Sequence, residues 1–405
     1  MNRMRNCLSE TAPLVKIALA LMAGIIVEKY LLLPFTLFPL LVGVVLLAGC
    51  LWRYERLQSA VIVLSFVVLG VVLMQRAQQE THDLSRLEHS KTYFLEQRAK
   101  LLDRLSDHGV DGSAYAVVAA MALGDKSQLT KELKDTYAVT GASHILALSG
   151  LHLGIIYTLL SLLLSWRRWE VVSQIVIIVC IWQYVFLVGM ATSVVRSAVM
   201  LTVYALLSLG HRDKMSVNTL AFAAIVMLLF NPRSLFDIGF QLSFMAVLSI
   251  LLFVPLMENR HATWAPPTEQ PYYWRKAISG LANCLRVSVA AQLGVAPLLA
   301  YYFGRFSTYF LVTNLIVLPA AYLILYGSLL MLLVPWPPLS NSVIGIVDLL
   351  NNLLTRINRW PLASIEGLHP SVFQVLLCYA IIACLFLMLI IWQGRRPKKA
   401  IRWDI

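Results

Sequence analysis

The chain has 405 residues, 59% of them hydrophobic and only 13% charged, with a mean hydropathy of +0.74. A soluble domain covers its surface with polar and charged groups, so this composition excludes one and predicts an all-α polytopic integral membrane protein. The formal net charge is +12, yet residues 76–142 hold nine Lys/Arg against ten Asp/Glu, so the basic excess lies in short loops and tails, where it first of all orients a chain in a membrane.

In chain order, Arg3, Arg5 and Lys16 precede two closely spaced apolar runs, 17–27 and 31–51, and a third follows at 60–74. A cleaved signal peptide is not expected where further hydrophobic runs follow at once. Residues 75–112 carry both charge signs with Leu84, Leu87, Tyr93, Phe94, Leu101, Leu102 and Leu105 at helical spacing, which predicts a charged extramembrane helix with one apolar face. Later spans are expected at 145–166, 171–190, 194–209, 219–230, 238–256, 281–303, 309–334 and 373–392, near the ~20 residues a bilayer needs. Residues 340–360 place Val343, Ile346, Val347, Leu350, Leu353, Leu354 and Ile357 on one face, with Asp348, Asn351, Asn352, Arg356 and Arg359 largely on the other, the pattern of an interfacial or cavity-lining helix. The total is about 10–12 transmembrane or re-entrant helices plus this amphipathic one. Arg167-Arg168, the 211–214 turn and the tail 394–405 mark the cytoplasmic side. The organisation predicted is 1–75 for amino-terminal transmembrane helices, 76–112 for the charged linker, 113–393 for the main membrane domain and 394–405 for a basic cytoplasmic tail.

Polar groups concentrate in 141–163, GASHILALSGLHLGIIYTLLSLL. An intramembrane ionisable group is costly unless something answers it, which marks a functional site or a helix-packing device. A continuous helix from Ser143 would put His144 and His152 on one face, with Ser149 one turn from His152. Gly150 thins the same region. Arg196 in GMATSVVRSAVM must face a cavity or a partner. Asp237 is placed to cap a helix whose next turn carries Gln241 and Ser243. Asn314 with Pro319, and Pro297 before them, are expected to break helices inside the membrane.

Three readings compete. One is a gated path for a polyanion; another is a small-molecule or lipid permease on the same scaffold. The third, an intramembrane serine hydrolase using Ser149, meets a geometric objection, because a serine and a histidine one turn apart on a helix point sideways along a shared face. No enzymatic activity is expected, and no cofactor or metal: the six cysteines form no C-x-x-C pair or Cys/His cluster.

The order HILALSGLHLG, SVVRSAVM, FDIGFQLSFMAVLSI, PLLAYYFGRFS and TNLIVLP resembles the membrane domain of the ComEC competence family, over about residues 114–390. That resemblance implies a bacterial inner-membrane channel passing single-stranded DNA inward during transformation, with His144, Ser149, Gly150, His152, Arg196, Asp237, Gln241, Ser243, Asn314 and Pro319 as its channel-lining positions. It also implies separately encoded nuclease, DNA-binding and motor partners, with an oligomer open. Two departures stand out: Thr192-Ser193 replaces a proline frequent before the arginine, and no oligonucleotide-binding or metallo-β-lactamase-like domain is expected in this stretch. On physical grounds, Arg196, Arg286 and Arg305 beside Tyr301, Tyr302, Phe303 and Phe306 would suit phosphates and stacked bases, while the same aromatics equally suit interfacial anchoring or helix packing.

Overall fold

The computed structural model describes residues 13–32, 38–50, 54–79, 85–107, 109–164, 169–209, 217–257, 272–334 and 336–394. The cytoplasmic markers at 167–168, 211–214 and 395–405 lie outside them. Almost every element is an α-helix, the state in which an apolar segment satisfies its own backbone polar groups without water. Among the described residues six helices are long and apolar enough to cross a bilayer, and five further apolar helices have 10–17 residues. The chain divides into two compact units, residues 1–131, 144–241 and 320–349 in the first, and 132–143, 242–319 and 350–405 in the second.

In the first unit, α1 spans Pro13–Leu31. It crosses α3 (Glu55–Gln79) at Gly24 and Gly70. A Cβ on Gly24 would lie 1.9 Å from the Val67 carbonyl oxygen, an approach open only to glycine. Further along, Glu28, 2% exposed, accepts a hydrogen bond from Gln75 Nε2 at 3.3 Å. Contacts advance together along both helices, so α1 and α3 run parallel. Parallel neighbours require a return between them, and α2 (Phe38–Cys50) supplies it: its first residue lies beside the end of α3, with the Arg76 guanidinium 5.3 Å from the Phe38 ring.

The helix α4 (Ser85–Asp107) is the expected charged one. Leu105 is fully buried and Phe94 stacks on Phe186 at 5.4 Å, whereas Tyr93 is exposed; the side chains of Leu84 and Leu87 are outside the described set. Next come α5 (Gly112–Val118) and one π-helical turn, Ala119–Leu123, buried throughout. A π turn leaves carbonyls misaligned, and Tyr184 Oη donates to the Ala122 carbonyl at 2.9 Å. α8 (Gly150–Leu163), α9 (Glu170–Leu187), α10 (Thr192–Leu209) and α11 (Val217–Phe230) form an up-and-down set, and α11 also packs on α1. The Leu14 N–H donates to Asn218 Oδ1 where α1 and α11 start; beyond their far ends Lys29 sits over the Phe236 ring. α1, α3 and α11 therefore finish at the same end of this unit.

The second unit contains α6 (Lys131–Val139), most of α12 (Ile238–Met257), α13 (Tyr272–Phe303), the first part of α14 (Phe310–Leu333), the end of α15 (Pro337–Asn358) and α16 (Val372–Gly394). α13 and α16 pack together, with Tyr379 Oη donating to the Gly294 carbonyl at 2.8 Å. Two short strands, β1 (Arg305–Ser307) and β2 (Ser364–Glu366), pair antiparallel with Arg305 opposite Glu366, a small addition to the all-α expectation. The amphipathic pattern of 340–360 is realised in and just beyond α15 for most positions: Val343, Val347, Leu350, Leu354 and Ile357 are buried and Asp348, Asn352, Arg356 and Arg359 exposed, while Ile346, Leu353 and Asn351 are half-buried.

Pro297 and Pro319 do not break their helices. α13 runs through the first and α14 through the second without interruption. A proline removes one N–H and one ladder bond, and a helix packed on its neighbours tolerates that loss by a local adjustment.

Candidate functional site

The continuous helix expected from Ser143 is absent. α7 (Ser143–Leu146) ends at once, Ala147 to Ser149 leave the helical path, and α8 starts at Gly150 with Ser149 as an extended N-cap, φ −131° and ψ 174°. His144 and His152 therefore belong to different helices and share no helical face. The cause is visible in the residues. Ser149 and Gly150 favour a helix start, and His152, at the third position of α8, reaches back so that Nδ1 accepts the Ser149 N–H at 3.3 Å. The freed Leu148 carbonyl accepts from Ser193 Oγ at 2.7 Å, and Leu148 also packs against Gly124, which adopts φ +73°.

The objection that Ser149 and His152 point sideways is overturned: Ser149 Oγ lies 3.2 Å from His152 Nδ1. A backbone N–H can only donate, so Nδ1 is an acceptor and the ring proton sits on Nε2. His152 is completely buried, and its Nε2 has no partner among the described residues.

One α10 face continues the site. Ser193 holds the Leu148 carbonyl; one turn later Ser197 touches the space a Cβ on Gly150 would fill, its Oγ 2.8 Å away. Between them, Arg196 is 6% exposed, and its Nη1 donates to Asp237 Oδ2 at 3.1 Å. Asp237 also acts as expected for a helix cap: Oδ1 accepts the Gly239 N–H at 3.0 Å. The guanidinium lies over Gly239, where a Cβ would be 2.6 Å from Nη2. Gln241 Nε2 donates to the Leu235 carbonyl at 3.1 Å, fixing the short 3-10 helix Pro232–Phe236 against α12. Although Thr192-Ser193 lacks the proline, the chain still turns before α10, because Gly189 and Met190 take positive φ values of 81° and 55°.

The structure thus brings Ser149, Gly150, His152, Arg196, Asp237 and Gln241 onto one end of the first unit, the end where α1, α3 and α11 finish. His144 belongs to that unit on the separate helix α7. Ser243, Asn314 and Pro319 belong to the second unit. There Ser243 is half-buried on α12, Pro319 is exposed, and Asn314 lies one turn beyond Phe310 on α14. Gly141, φ +81°, sits over Ser307 and Phe310: a Cβ on it would be 3.0 Å from Ser307 Oγ. Asn314 Oδ1 and Ser307 Oγ are buried without a partner among the described residues. Also in this unit, Tyr137 Oη donates to Asn351 Oδ1 at 2.8 Å, and burial pushes the Tyr137 pKa up, keeping it a neutral donor.

Ser197, Gly239 and Gly124 were not singled out in the sequence, and Ser193 was named only as standing, with Thr192, in place of a proline. Ser193 and Ser197 carry a legible signal, small hydroxyls four apart bracketing an intramembrane arginine. Gly124 carries none without its contact to Leu148.

The Competence protein family model matches residues 121–392. The chain belongs to the Competence protein family. It is 30% identical over 267 residues to ComE operon protein 3 of Bacillus subtilis, covering 63% of this chain and 32% of that protein. An uncharacterized Aquifex aeolicus protein is 30% identical over 221 residues, 54% of this chain and 47% of its own length. Uncharacterized protein YcaI of Escherichia coli is 23% identical over 215 residues, 50% and 27% respectively. The chain spans less than half the length of each of these relatives. No solved structure matches it. With its apolar helices, this family member is a multi-pass inner-membrane protein.

Proposed function

We propose that the chain is a conduit component that carries single-stranded DNA inward across the membrane during transformation, with the Ser149–Arg196–Asp237 cluster at its outer mouth. The observation that carries this reading is the collection of a broken helix, a buried arginine and a capped acidic turn at one end of a single unit, in a member of this family.

Orientation follows from charge. α8 and α10 both start at the cluster and run away from it, and each is followed in the sequence by basic residues, Arg167-Arg168 and Arg212 with Lys214, of the kind that belongs on the cytoplasmic side. The cluster end, to which α4 is tied by the Arg98–Asp125 pair at 3.4 Å, then faces outward. A strand arriving there meets a fixed cation inside an apolar wall, where a guanidinium interacts with phosphate far more strongly than in water. His144 in the first unit, and Ser243, Asn314 and Pro319 in the second, are proposed as channel-lining positions, each within its own unit. A nuclease, a DNA-binding protein and a motor are proposed as partners of the conduit.

The test is uptake of labelled DNA by cells carrying Arg196→Ala or His152→Ala proteins that insert at normal levels. A loss of at least about tenfold is expected, as for removal of a buried charged contact; unchanged uptake overturns the assignment. The 3.2 Å Ser149–His152 contact favours one second reading, hydrolysis at Ser149. Because Nδ1 already takes the Ser149 N–H, capping accounts for the same geometry. Labelling of Ser149 by a serine-reactive fluorophosphonate would establish the hydrolase, and an unlabelled protein leaves the cap.

A further inference from the structure

We infer that Asp237 is a resident competitor for the phosphate-binding position of Arg196, displaced when a phosphodiester arrives; this rests on the conduit reading above.

The pair is lopsided. The Arg196 side chain is 7% exposed and that of Asp237 is 40% exposed, so the carboxylate covers the guanidinium from the solvent side. Asp237 engages it through one oxygen only, Oδ2 on Nη1, while Oδ1 is spent on the Gly239 N–H. A guanidinium offers a two-pronged edge suited to phosphate, and here the Nε donor is buried with no partner among the described residues. Nη2 lies over Gly239 at the start of α12, so two positive elements, a buried cation and a 20-residue helix N-terminus, converge on one anion position.

Replacing a carboxylate by a phosphodiester exchanges one negative charge for another, so the buried cation is never left uncompensated. Asp237, already partly in water, swings out and gives up its Gly239 N–H to the arriving phosphate; Arg196, buried, stays in place. Asp237 also closes the short helix Pro232–Phe236, its N–H donating to the Ser234 carbonyl at 3.0 Å, and that helix is held by Lys29 over Phe236, by Arg233 donating to the Ala77 carbonyl and by Gln241 on Leu235. Strand arrival would therefore loosen a turn that pins the ends of α1 and α3.

The experiment uses the full chain in lipid nanodiscs and reads binding of a fluorescent single-stranded oligonucleotide, with inorganic polyphosphate as a second probe. Asp237→Asn is expected to bind both about tenfold tighter than the unaltered protein, since the internal competitor is gone, whereas Asp237→Glu stays within about twofold, because it keeps the competing charge. In case Asp237→Asn fails to fold, Ser234→Cys on the otherwise unaltered chain reports the turn directly: thiol labelling at that position is expected to speed up when oligonucleotide is added. Equal or weaker binding by a folded Asp237→Asn protein, or labelling that oligonucleotide leaves unchanged, overturns the competitor. Binding of polyphosphate but not of oligonucleotide, with the Asp237→Asn gain intact, upholds the competitor and overturns the DNA conduit; binding of neither overturns both.

Discussion

Two membrane segments treat their helix breakers in opposite ways. α14 contains Pro319 and continues for 24 residues, while the stretch from Ser143 to Leu163 has no proline and is split at Ala147–Ser149. What decides the outcome is where the freed backbone groups find partners. Around the split, Ser193 takes the Leu148 carbonyl and His152 takes the Ser149 N–H, with room made by Gly124. In α14, Pro319 removes a single donor, and among the described residues no side chain is bonded to the Leu315 carbonyl that would have paired with it. A proline weakens a helix; side-chain partners placed at both sides of a gap replace it by another structure.

That contrast is open to substitution. Gly124→Val forces a β-branched residue into a left-handed conformation with its Cβ against Leu148 Cδ1, and thermal unfolding in detergent should report a loss of about 3 kcal/mol. Ser193→Ala leaves the Leu148 carbonyl unanswered in an apolar setting, for a loss of about 2 kcal/mol by the same measurement. His152→Ala removes the reach-back cap together with the packing of a completely buried imidazole, and should lower stability by about 2 kcal/mol by the same measurement. Pro319→Ala should change least, a gain below about 1 kcal/mol, because the helix is already continuous there. If Pro319→Ala proved more disruptive than Ser193→Ala, the account of the split would fail.

Most of the architecture was legible in the sequence because the bilayer fixes it. Long apolar runs become helices for want of any other way to satisfy their backbone, and the amphipathic period of 340–360 maps for most positions onto buried and exposed residues in and just beyond α15. Asp237 was legible as a cap, since an acidic residue ahead of IGFQ has few other local options. The split in 143–163 was not. Its apolar spacing is that of an unbroken helix, and the residues that stabilise the gap, Gly124 and Ser193, lie in separate stretches of the chain. Nor did local sequence reveal that Arg196 already has an anion, because Asp237 is 41 positions away. The prolines misled in the other direction, since a local preference says nothing about packing that overrides it.

The parallel crossing of α1 and α3 has a consequence for biosynthesis. Gly24 and Glu28 leave the ribosome well before the surfaces that complete them, Gln75 being 47 residues later in the chain. During that interval the first helix waits in lipid with an exposed glycine notch and a carboxylate lacking its amide, and only the insertion of the third helix closes both. The order of translation thus makes α1 a provisional resident of the bilayer until α3 docks, and a chain stalled between residues 31 and 75 would present that acidic side chain to the quality-control machinery of the membrane.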